Sequence, residues 1–297
     1  FLLMGALFIV LPRTMVSAKR INQVLDLHSS IQNPAQVQLA DENLKGQVEF
    51  KDVTFRYAAN SEAVIENVSF RAEAGQTVAF IGSTGSGKST LVNLIPRFYD
   101  VSAGEILVDG VNVQDYALED LRNKVGYIPQ KAVLFSGDVK GNLDFGQSQE
   151  TPLNEQAMWQ ALELAQSKNF IEDKEAGLES EVAQGGTNFS GGQRQRLAIA
   201  RALARKPEIL IFDDSFSALD YKTDRVLRQE LAEKTKSMTK LIVAQRISTI
   251  MDADLILVLD QGKVVGQGTH KELLATNEVY QEIAYSQLSK EELEHGK

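Results

Sequence analysis

The sequence contains no cysteine, few histidines and no excess of positive charge, and each absence removes a class of function. Without cysteine the chain forms neither a disulfide framework nor a thiolate metal site. Its three histidines, His28, His270 and His295, stand too far apart along the chain to suggest a zinc cluster. The formal net charge of −9 argues against a general nucleic-acid-binding surface, which would carry a basic excess. We therefore expect no nucleic acid among its partners.

The apolar stretch at the N-terminus, residues 1 to 12, is shorter than the roughly twenty residues that a helix needs to cross a bilayer. It lacks an initiating methionine, a basic leader and a small-residue cleavage site, which argues against a signal peptide. Arg13, Lys19 and Arg20 follow it at once, as is typical of the cytoplasmic side of a membrane helix. We expect residues 1–12 to be the C-terminal end of a transmembrane helix inside a longer chain, with an amphipathic or core helix as the alternative. Residues 13–45 are then a cytoplasmic helix extension, helical to about residue 32, and a linker.

The rest of the chain is organised around a glycine-rich stretch between a predicted strand, residues 77 to 81, and a predicted helix, residues 89 to 95. It matches every fixed position of the phosphate-loop pattern G-x-x-x-x-G-K-[ST]. The backbone N–H groups of such a loop surround a phosphate, the lysine reaches the β- and γ-phosphates, and the hydroxyl binds Mg²⁺. A chance match is the alternative, which the flanking strand and helix disfavour. The predicted ATP-contacting residues here are Gly82, Ser83, Thr84, Gly85, Ser86, Gly87, Lys88, Ser89 and Thr90.

Strand patterns surround the glycine-rich stretch. Residues 48–57 and 63–70 alternate apolar and polar side chains and predict an antiparallel β-layer, and Asp109 with Gly110 marks a hairpin. Further strands are predicted at 125–128 and 241–244, and a last hairpin turns at 260–263. Tyr57, at the end of the first strand, is either a core or edge aromatic or a flat ring that stacks on a base.

Another apolar strand, residues 209–212, is followed by two carboxylates, Asp213 and Asp214. Ligands of open parallel sheets bind at the carboxyl ends of the strands, which places both side chains beside the phosphate loop. We expect Asp213 to hold Mg²⁺, directly or through water, as a hard oxygen ligand, and a helix cap is the alternative.

Residues 138–205 contain no convincing strand and are predicted to form an inserted helical subdomain. Within it, Asn188 or Ser190 is expected to cap a helix that runs from Gln193 onward, while Gly191 and Gly192 let a ligand approach the backbone closely. The helix N-terminus is a second anion-binding site. It has a use for a phosphate only if it faces another subunit or another domain.

In this order, the motifs resemble the nucleotide-binding domain of ATP-binding cassette (ABC) transporters over about residues 46–288. The resemblance rests on the phosphate loop, Gln130, the segment 188–193, Asp213 and residues 217–220. It implies an α/β fold of the P-loop NTPase type, with a RecA-like parallel-sheet core, an antiparallel β-layer and an inserted helical subdomain at about 138–205. Residues 289–297 are then a charged tail.

The resemblance further implies that two such domains close head to tail around two ATP molecules. Tyr57 then stacks on adenine, Gln130 contacts Mg²⁺, and the signature segment 188–193 holds the γ-phosphate of ATP bound by a partner. The implied metal ligands are Ser89, Gln130 and Asp213. The implied nucleotide contacts outside the phosphate loop are Tyr57, Asn188, Phe189, Ser190, Gly191, Gly192, Gln193 and Asp220.

The chain departs from the family pattern at its catalytic positions. The family normally has Glu where this chain has Asp214, and His where it has Gln245. The shorter carboxylate lies farther from the attacking water, and a neutral amide carries no charge, so we expect slow hydrolysis at this chain's own site. With Gln130, these two residues are the predicted catalytic positions. A smaller departure is Phe189, where the signature usually has Leu.

Both changes together resemble the degenerate half of a heterodimeric exporter. We therefore expect an ATPase subunit in the cell membrane, multi-pass, with this domain on the cytoplasmic side and a hydrophobic drug-like or lipid-like substrate. The partner is a second ABC half-transporter that supplies the missing Glu and His. A homodimeric exporter with two slow sites and a soluble ABC-type nucleotide switch are the alternatives.

Overall fold

A computed structural model describes residues 2–146 and 152–288 and divides the chain into two compact units, Phe1–Gln32 and Asn33–Lys297. The charged tail predicted at 289–297 lies outside the described residues.

The first unit is built on one helix, α1 (Leu2–Leu25), which contains Pro12. The helix ends at Leu25 and not near residue 32 as predicted. Its apolar side chains Phe8, Leu11 and Met15 are exposed. Among the described residues, no helix combines the length and the apolar character needed to cross a membrane.

The second unit contains twelve strands among its described residues. They are β1 (Val48–Phe55), β2 (Ile65–Ala72), β3 (Thr77–Gly82), β4 (Ala103–Val108), β5 (Val111–Asn112), β6 (Val125–Ile128), β7 (Gly137–Asp138), β8 (Glu181–Val182), β9 (Ile209–Asp213), β10 (Thr239–Val243), β11 (Leu255–Asp260) and β12 (Lys263–Gly268).

The described helices of the second unit lie between and around these strands. They are α2 (Lys88–Asn93), α3 (Leu118–Lys124), α4 (Val139–Leu143), α5 (Glu155–Leu164), α6 (Lys168–Glu172), α7 (Gly191–Ala204), α8 (Tyr221–Lys234), α9 (His270–Thr276) and α10 (Glu278–Gln287), with short 3-10 helices at Glu42–Leu44, Gly177–Glu179, Gln184–Gly186 and Ile247–Thr249.

The central sheet has six strands in the order β12-β11-β3-β10-β9-β6. Its strands from β11 to β6 are parallel, and β12 joins the edge as an antiparallel hairpin partner. The second sheet, in the order β2-β1-β4-β5, is antiparallel, with the hairpin predicted at Asp109 and Gly110 between its last two strands. The predicted α/β class with a parallel core and an antiparallel layer is therefore confirmed.

Successive side chains of a strand point to opposite faces of the sheet, so alternate residues of the central strands belong to two different hydrophobic cores. Val78 and Phe80 of β3 belong to the core shared with the antiparallel sheet, where Phe70 packs edge-on against Phe80. Ala79 and Ile81 face the opposite core, which includes the helical subdomain. Because both faces of the strand are covered, the whole run is apolar, which is the pattern that made it recognisable in the sequence.

The prediction that residues 138–205 contain no strand is wrong in one detail. Strands β7 and β8 form a two-residue antiparallel pair, with Gly137 opposite Val182. Strands of two residues are too short to show an alternating pattern, so they could not be predicted from the sequence. The helices α4 to α7 otherwise occupy this region, as expected.

Candidate functional site

The phosphate loop connects β3 to α2 and depends on glycine at both ends. Gly82 has φ 153° and Gly87 has φ 96°, conformations that side chains disfavour. A Cβ at Gly87 would lie 2.8 Å from the Val64 carbonyl oxygen, and one at Gly82 would collide with the Leu259 carbonyl oxygen. The loop therefore packs against neighbouring backbone with no room for side chains at these two positions.

Lys88 lies under this loop and is almost fully buried. Its ammonium group donates to the carbonyl oxygens of Gly82 and Ser83 at 2.8 and 2.7 Å. Burial lowers the pKa of Lys88, although the nearby carboxylates of Asp214 and Asp213 favour its charged form. A buried cation at the phosphate loop is suited to a polyphosphate, whose negative charge would relieve the cost of burying the ammonium group.

Ser89 and Asp213 meet beside the loop, as predicted for a metal site. The Ser89 hydroxyl donates to Oδ1 of Asp213 at 2.6 Å, and Asp213 is 7% exposed. A hydroxyl and a carboxylate are hard oxygen donors of the kind that Mg²⁺ prefers, so these two residues fit the ion. No group of three or more acidic, histidine or cysteine side chains within the described ranges could hold a metal ion alone. Nucleotide phosphates would then supply the other ligands.

Tyr127, the last residue but one of β6, belongs to this cluster and was not predicted from the sequence. Its hydroxyl donates to Oδ2 of Asp213 at 3.1 Å. Burial raises the pKa of Tyr127, and the charge of Asp213 raises it further, so the hydroxyl remains a donor at neutral pH. The only available signal was a tyrosine with a polar tip near the carboxyl end of a buried strand.

Asp214 follows β9 in a left-handed conformation with φ 50°. Its Oδ2 accepts two amide hydrogen bonds, from Nε2 of Gln130 at 2.9 Å and from Nε2 of Gln245 at 2.8 Å. Burial raises the pKa of this carboxyl group, and the Gln130 hydrogen bond offsets part of that effect. The three predicted catalytic positions are thus in contact, with Gln130 on Asp214 and not on Asp213.

Tyr57 lies beyond the end of β1, since that strand stops at Phe55. Its hydroxyl shares a hydrogen bond of 2.9 Å with the Thr90 hydroxyl, and its ring is edge-on to those of Phe55 and Tyr99. The side chain is 55% exposed. The geometry therefore places an accessible ring at the phosphate-loop helix.

The signature segment forms a separate cluster around the start of α7. Ser190 caps the helix by accepting from the Gln193 N–H, and the Gln193 side chain accepts from the Ser190 N–H at 2.9 Å. The helix starts at Gly191, two residues before the predicted start. Asn188 is not the cap, because its amide instead contacts the backbone of Glu181 and Ala183.

Phe189 does not present its ring to a ligand. The ring is 3% exposed and packs in the core of the helical subdomain, beneath the ammonium group of Lys174. Gly191 has no atom near the position of an added Cβ, so the backbone there is open. Asp220 is exposed and caps α8 through the Thr223 N–H. No hydrogen bond found between described residues joins the signature segment to the phosphate loop.

A cavity of about 1050 Å³ lies elsewhere, among α8, β10 and α9, with Arg228, Ile242 and Leu274 in its wall. None of the predicted nucleotide or metal residues lines it. The candidate nucleotide site is therefore separate from this cavity.

A family model described as ABC transporter matches residues 65–217, which include the phosphate loop, the signature segment and both carboxylates after β9. The chain belongs to the ABC transporter family. The resemblance to an ABC nucleotide-binding domain is thereby confirmed, and the parallel core, antiparallel layer and helical subdomain are those of that domain.

Relatives of the ABC family match nearly the whole chain. An uncharacterized ABC transporter ATP-binding protein of Mycobacterium bovis is 47% identical over 94% of the chain and 47% of its own length. An ATP-dependent lipid A-core flippase of Pseudomonas aeruginosa is 45% identical over 80% of the chain and 39% of its own length. The structure of a bacterial Atm1-family ABC exporter with ATP bound superposes with a TM-score of 0.87 at 31% identity, covering 97% of this chain and 49% of that one. The chain thus spans about half the length of the ABC proteins it matches.

Proposed function

We propose that the chain is the ATP-binding part of an exporter subunit that works in a heterodimer, and that its own site binds ATP with Mg²⁺ but hydrolyses it slowly. Lys88 and the phosphate loop hold the β- and γ-phosphates. Ser89 and Asp213 hold Mg²⁺, with Gln130 within reach of the site, and Tyr57 stacks on adenine. When bound, the ion neutralises charge on the phosphates.

The observation that carries the proposal is the environment of Asp214. A general base must come within about 2.6 to 3.2 Å of the water that it activates. The Asp214 side chain is one methylene shorter than the Glu usual at this position, and one of its oxygens already accepts from both Gln130 and Gln245. Gln245 is neutral, so it offers a hydrogen bond to a γ-phosphate but no positive charge. The short, restrained carboxylate of Asp214 and the neutral side chain of Gln245 each slow hydrolysis, while the residues that bind ATP are unaffected.

The signature segment supports the dimer. Ser190 and Gln193 form a complete capping box at the start of α7, and the open backbone at Gly191 lies beside it. The helix N-terminus favours a negative ligand. We infer that Asn188, Ser190, Gly191, Gly192 and Gln193 complete the ATP site of the partner, and that Asp220 lies at the same interface. Phe189 contributes through its backbone, since its ring is buried. The partner's own site then has Glu and His at the catalytic positions and is the fast one.

We further propose that residues 1–12 form the end of the last transmembrane helix of a multi-pass membrane protein. Residues 13–45 then connect this helix to the nucleotide-binding domain, residues 46–288, which lies in the cytoplasm. Arg13, Lys19 and Arg20 support that side of the membrane. A hydrophobic, lipid-like or drug-like substrate is supported by the relatives described as lipid A-core flippases.

The test compares the full-length protein alone with the protein co-expressed with a candidate partner that has Glu and His at the matching positions. We expect the pair to hydrolyse ATP at least about 100-fold faster, the lower end of what a general base contributes. In the pair, Ser190→Arg in this chain should abolish the fast rate, whereas Asp214→Ala should leave it nearly unchanged.

The opposite pattern would contradict the heterodimer. Loss of most of the pair's activity in Asp214→Ala, or fast hydrolysis by the protein alone, would show that its own site is competent. Mixing two differently labelled preparations of the protein with ATP identifies a homodimer with two slow sites, because only then do both labels appear in one complex. Failure to co-purify with membranes would favour the soluble switch.

A further inference from the structure

Asp213 is held at both of its oxygens by hydroxyl groups from different elements. Ser89 of α2 donates to Oδ1 at 2.6 Å, and Tyr127 of β6 donates to Oδ2 at 3.1 Å. A carboxylate with one restrained oxygen can still rotate about its χ2 torsion, whereas two restrained oxygens fix its plane. The hydrogen bond from Tyr127 therefore fixes the plane of the Asp213 carboxylate, which the hydrogen bond from Ser89 alone does not.

Tyr127 reaches Asp213 because β6 lies beside β9 in parallel register, with Ile128 opposite Phe212. Its ring packs edge-on against Phe98 at 5.6 Å between centroids, which holds the hydroxyl in place. A phenylalanine would make the same ring contact. Packing alone therefore explains an aromatic residue at this position, and only the Asp213 contact uses the hydroxyl.

We propose that Tyr127 is a positioning residue for the metal site and that its hydroxyl sets the affinity for the divalent cation by orienting Asp213. This rests on the proposed function, which places Mg²⁺ on Ser89 and Asp213. An ionised carboxylate has about four lone-pair sites, so accepting from two hydroxyls leaves capacity for a cation or its water. Outer-shell hydrogen bonds of this kind typically change metal affinity by about 10- to 100-fold when removed.

The test is Tyr127→Phe in the full-length protein, which keeps the ring and removes only the hydroxyl. Mn²⁺ is the probe, and its binding in the presence of a non-hydrolysable ATP analogue is followed by electron paramagnetic resonance. Affinity for the same analogue is measured separately in EDTA. Tyr116→Phe is the matched control, since it removes a buried tyrosine hydroxyl that donates to the Val108 carbonyl oxygen at 2.8 Å, outside the site.

We expect Tyr127→Phe to weaken Mn²⁺ binding by about 10-fold, with analogue affinity in EDTA unchanged and with no such effect in Tyr116→Phe. Unchanged Mn²⁺ affinity would overturn the proposal, because the hydroxyl would then only satisfy a buried carboxylate. Equal losses with and without metal would also overturn it, because they indicate general damage to the nucleotide site. If the unmodified protein binds the analogue but no Mn²⁺ with it, the metal assignment in the proposed function fails as well.

Discussion

Nε2 of Gln245 donates a hydrogen bond of 2.8 Å to Oδ2 of Asp214. These two residues come from the ends of neighbouring strands, β9 and β10, and both differ from the residues usual in the ABC family. The contact means that the two departures act together. The amide restrains the carboxylate that would have to accept a proton, and the carboxylate takes one of the two N–H donors of the Gln245 amide.

Replacing Lys88 by Ala should remove tight ATP binding. The ammonium group is held at the phosphate loop by two carbonyl oxygens, and charge-assisted hydrogen bonds of the kind that it would make to a phosphate contribute about 1.5 to 3 kcal/mol each. We expect ATP affinity to fall by about 10- to 100-fold in calorimetry. Lys263→Ala is the control, because that exposed lysine only pairs with Glu66 at 3.3 Å. Equal affinities for the Lys88 variant and the unmodified protein would remove the basis for the site assignment.

Gly82→Ala and Gly85→Ala should differ sharply in their effects. Both glycines have positive φ angles, but an added Cβ meets the Leu259 backbone only at Gly82, and nothing lies within 4 Å of it at Gly85. Gly85→Ala should cost about 1 kcal/mol of unfolding free energy through backbone strain alone. Gly82→Ala should cost several times more or prevent folding. Thermal unfolding of both variants checks this, and equal costs would show that the loop is not packed as described.

Asp214→Asn should stabilise the protein at neutral pH. Burial raises the pKa of the carboxyl group above its ordinary value of 3.8, so the charged form is disfavoured in the folded state. Asparagine tolerates the left-handed conformation and keeps an oxygen for the two glutamine amides. We expect Tm to be higher than that of the unmodified protein at pH 7, because the variant avoids burying a charge.

The pH dependence gives the sign of this effect. Because the pKa of Asp214 is higher in the folded protein than the ordinary value of 3.8, the fold loses stability as pH rises from 3.8 to the folded-state pKa. Below pH 3.8 the carboxyl group is protonated in both states, so the advantage of Asp214→Asn should vanish there. Asp220→Asn is the control with the opposite sign. Hydrogen bonds from Thr223 lower the pKa of Asp220, so that carboxylate stabilises at neutral pH, and its contribution is lost on acidification. An advantage of Asp214→Asn that persists unchanged at low pH would contradict the account.

Much of the fold could be predicted because the central strands are buried on both faces. The apolar runs that became β3, β9 and β10 are uninterrupted, and turn residues such as Asp109 and Gly110 mark a hairpin where the structure has one. Element ends were predicted less well, because caps depend on side-chain geometry. Asn188 and Ser190 are both good caps in the sequence, and only the structure shows that Ser190 is used.

Site residues that belong to a sequence motif, or that directly follow a strand, could be predicted. Residues that join the site through contacts between neighbouring strands could not. The phosphate loop and Asp213 could be placed from the sequence, since a strand delivers each of them to the same sheet edge. Tyr127 could not, because its role depends on the register of β6 against β9. Phe189 sits within a ligand-binding motif, yet its ring is in the core, which motif position alone does not reveal.

The most direct test of the slow site restores the usual residues. Asp214→Glu combined with Gln245→His is compared with Asp214→Gln combined with Gln245→His, in full-length protein co-expressed with a partner whose own catalytic Glu is replaced by Gln, so that only this chain's site can hydrolyse ATP. Glutamine matches glutamate in length but accepts no proton, so it controls for shape. We expect the Glu and His variant to hydrolyse ATP at least about 100-fold faster than the unmodified protein, the lower end of a general base's contribution, and the Gln and His variant to be no faster. A Glu and His variant no faster than the unmodified protein would contradict the claim that Asp214 and Gln245 make this site slow.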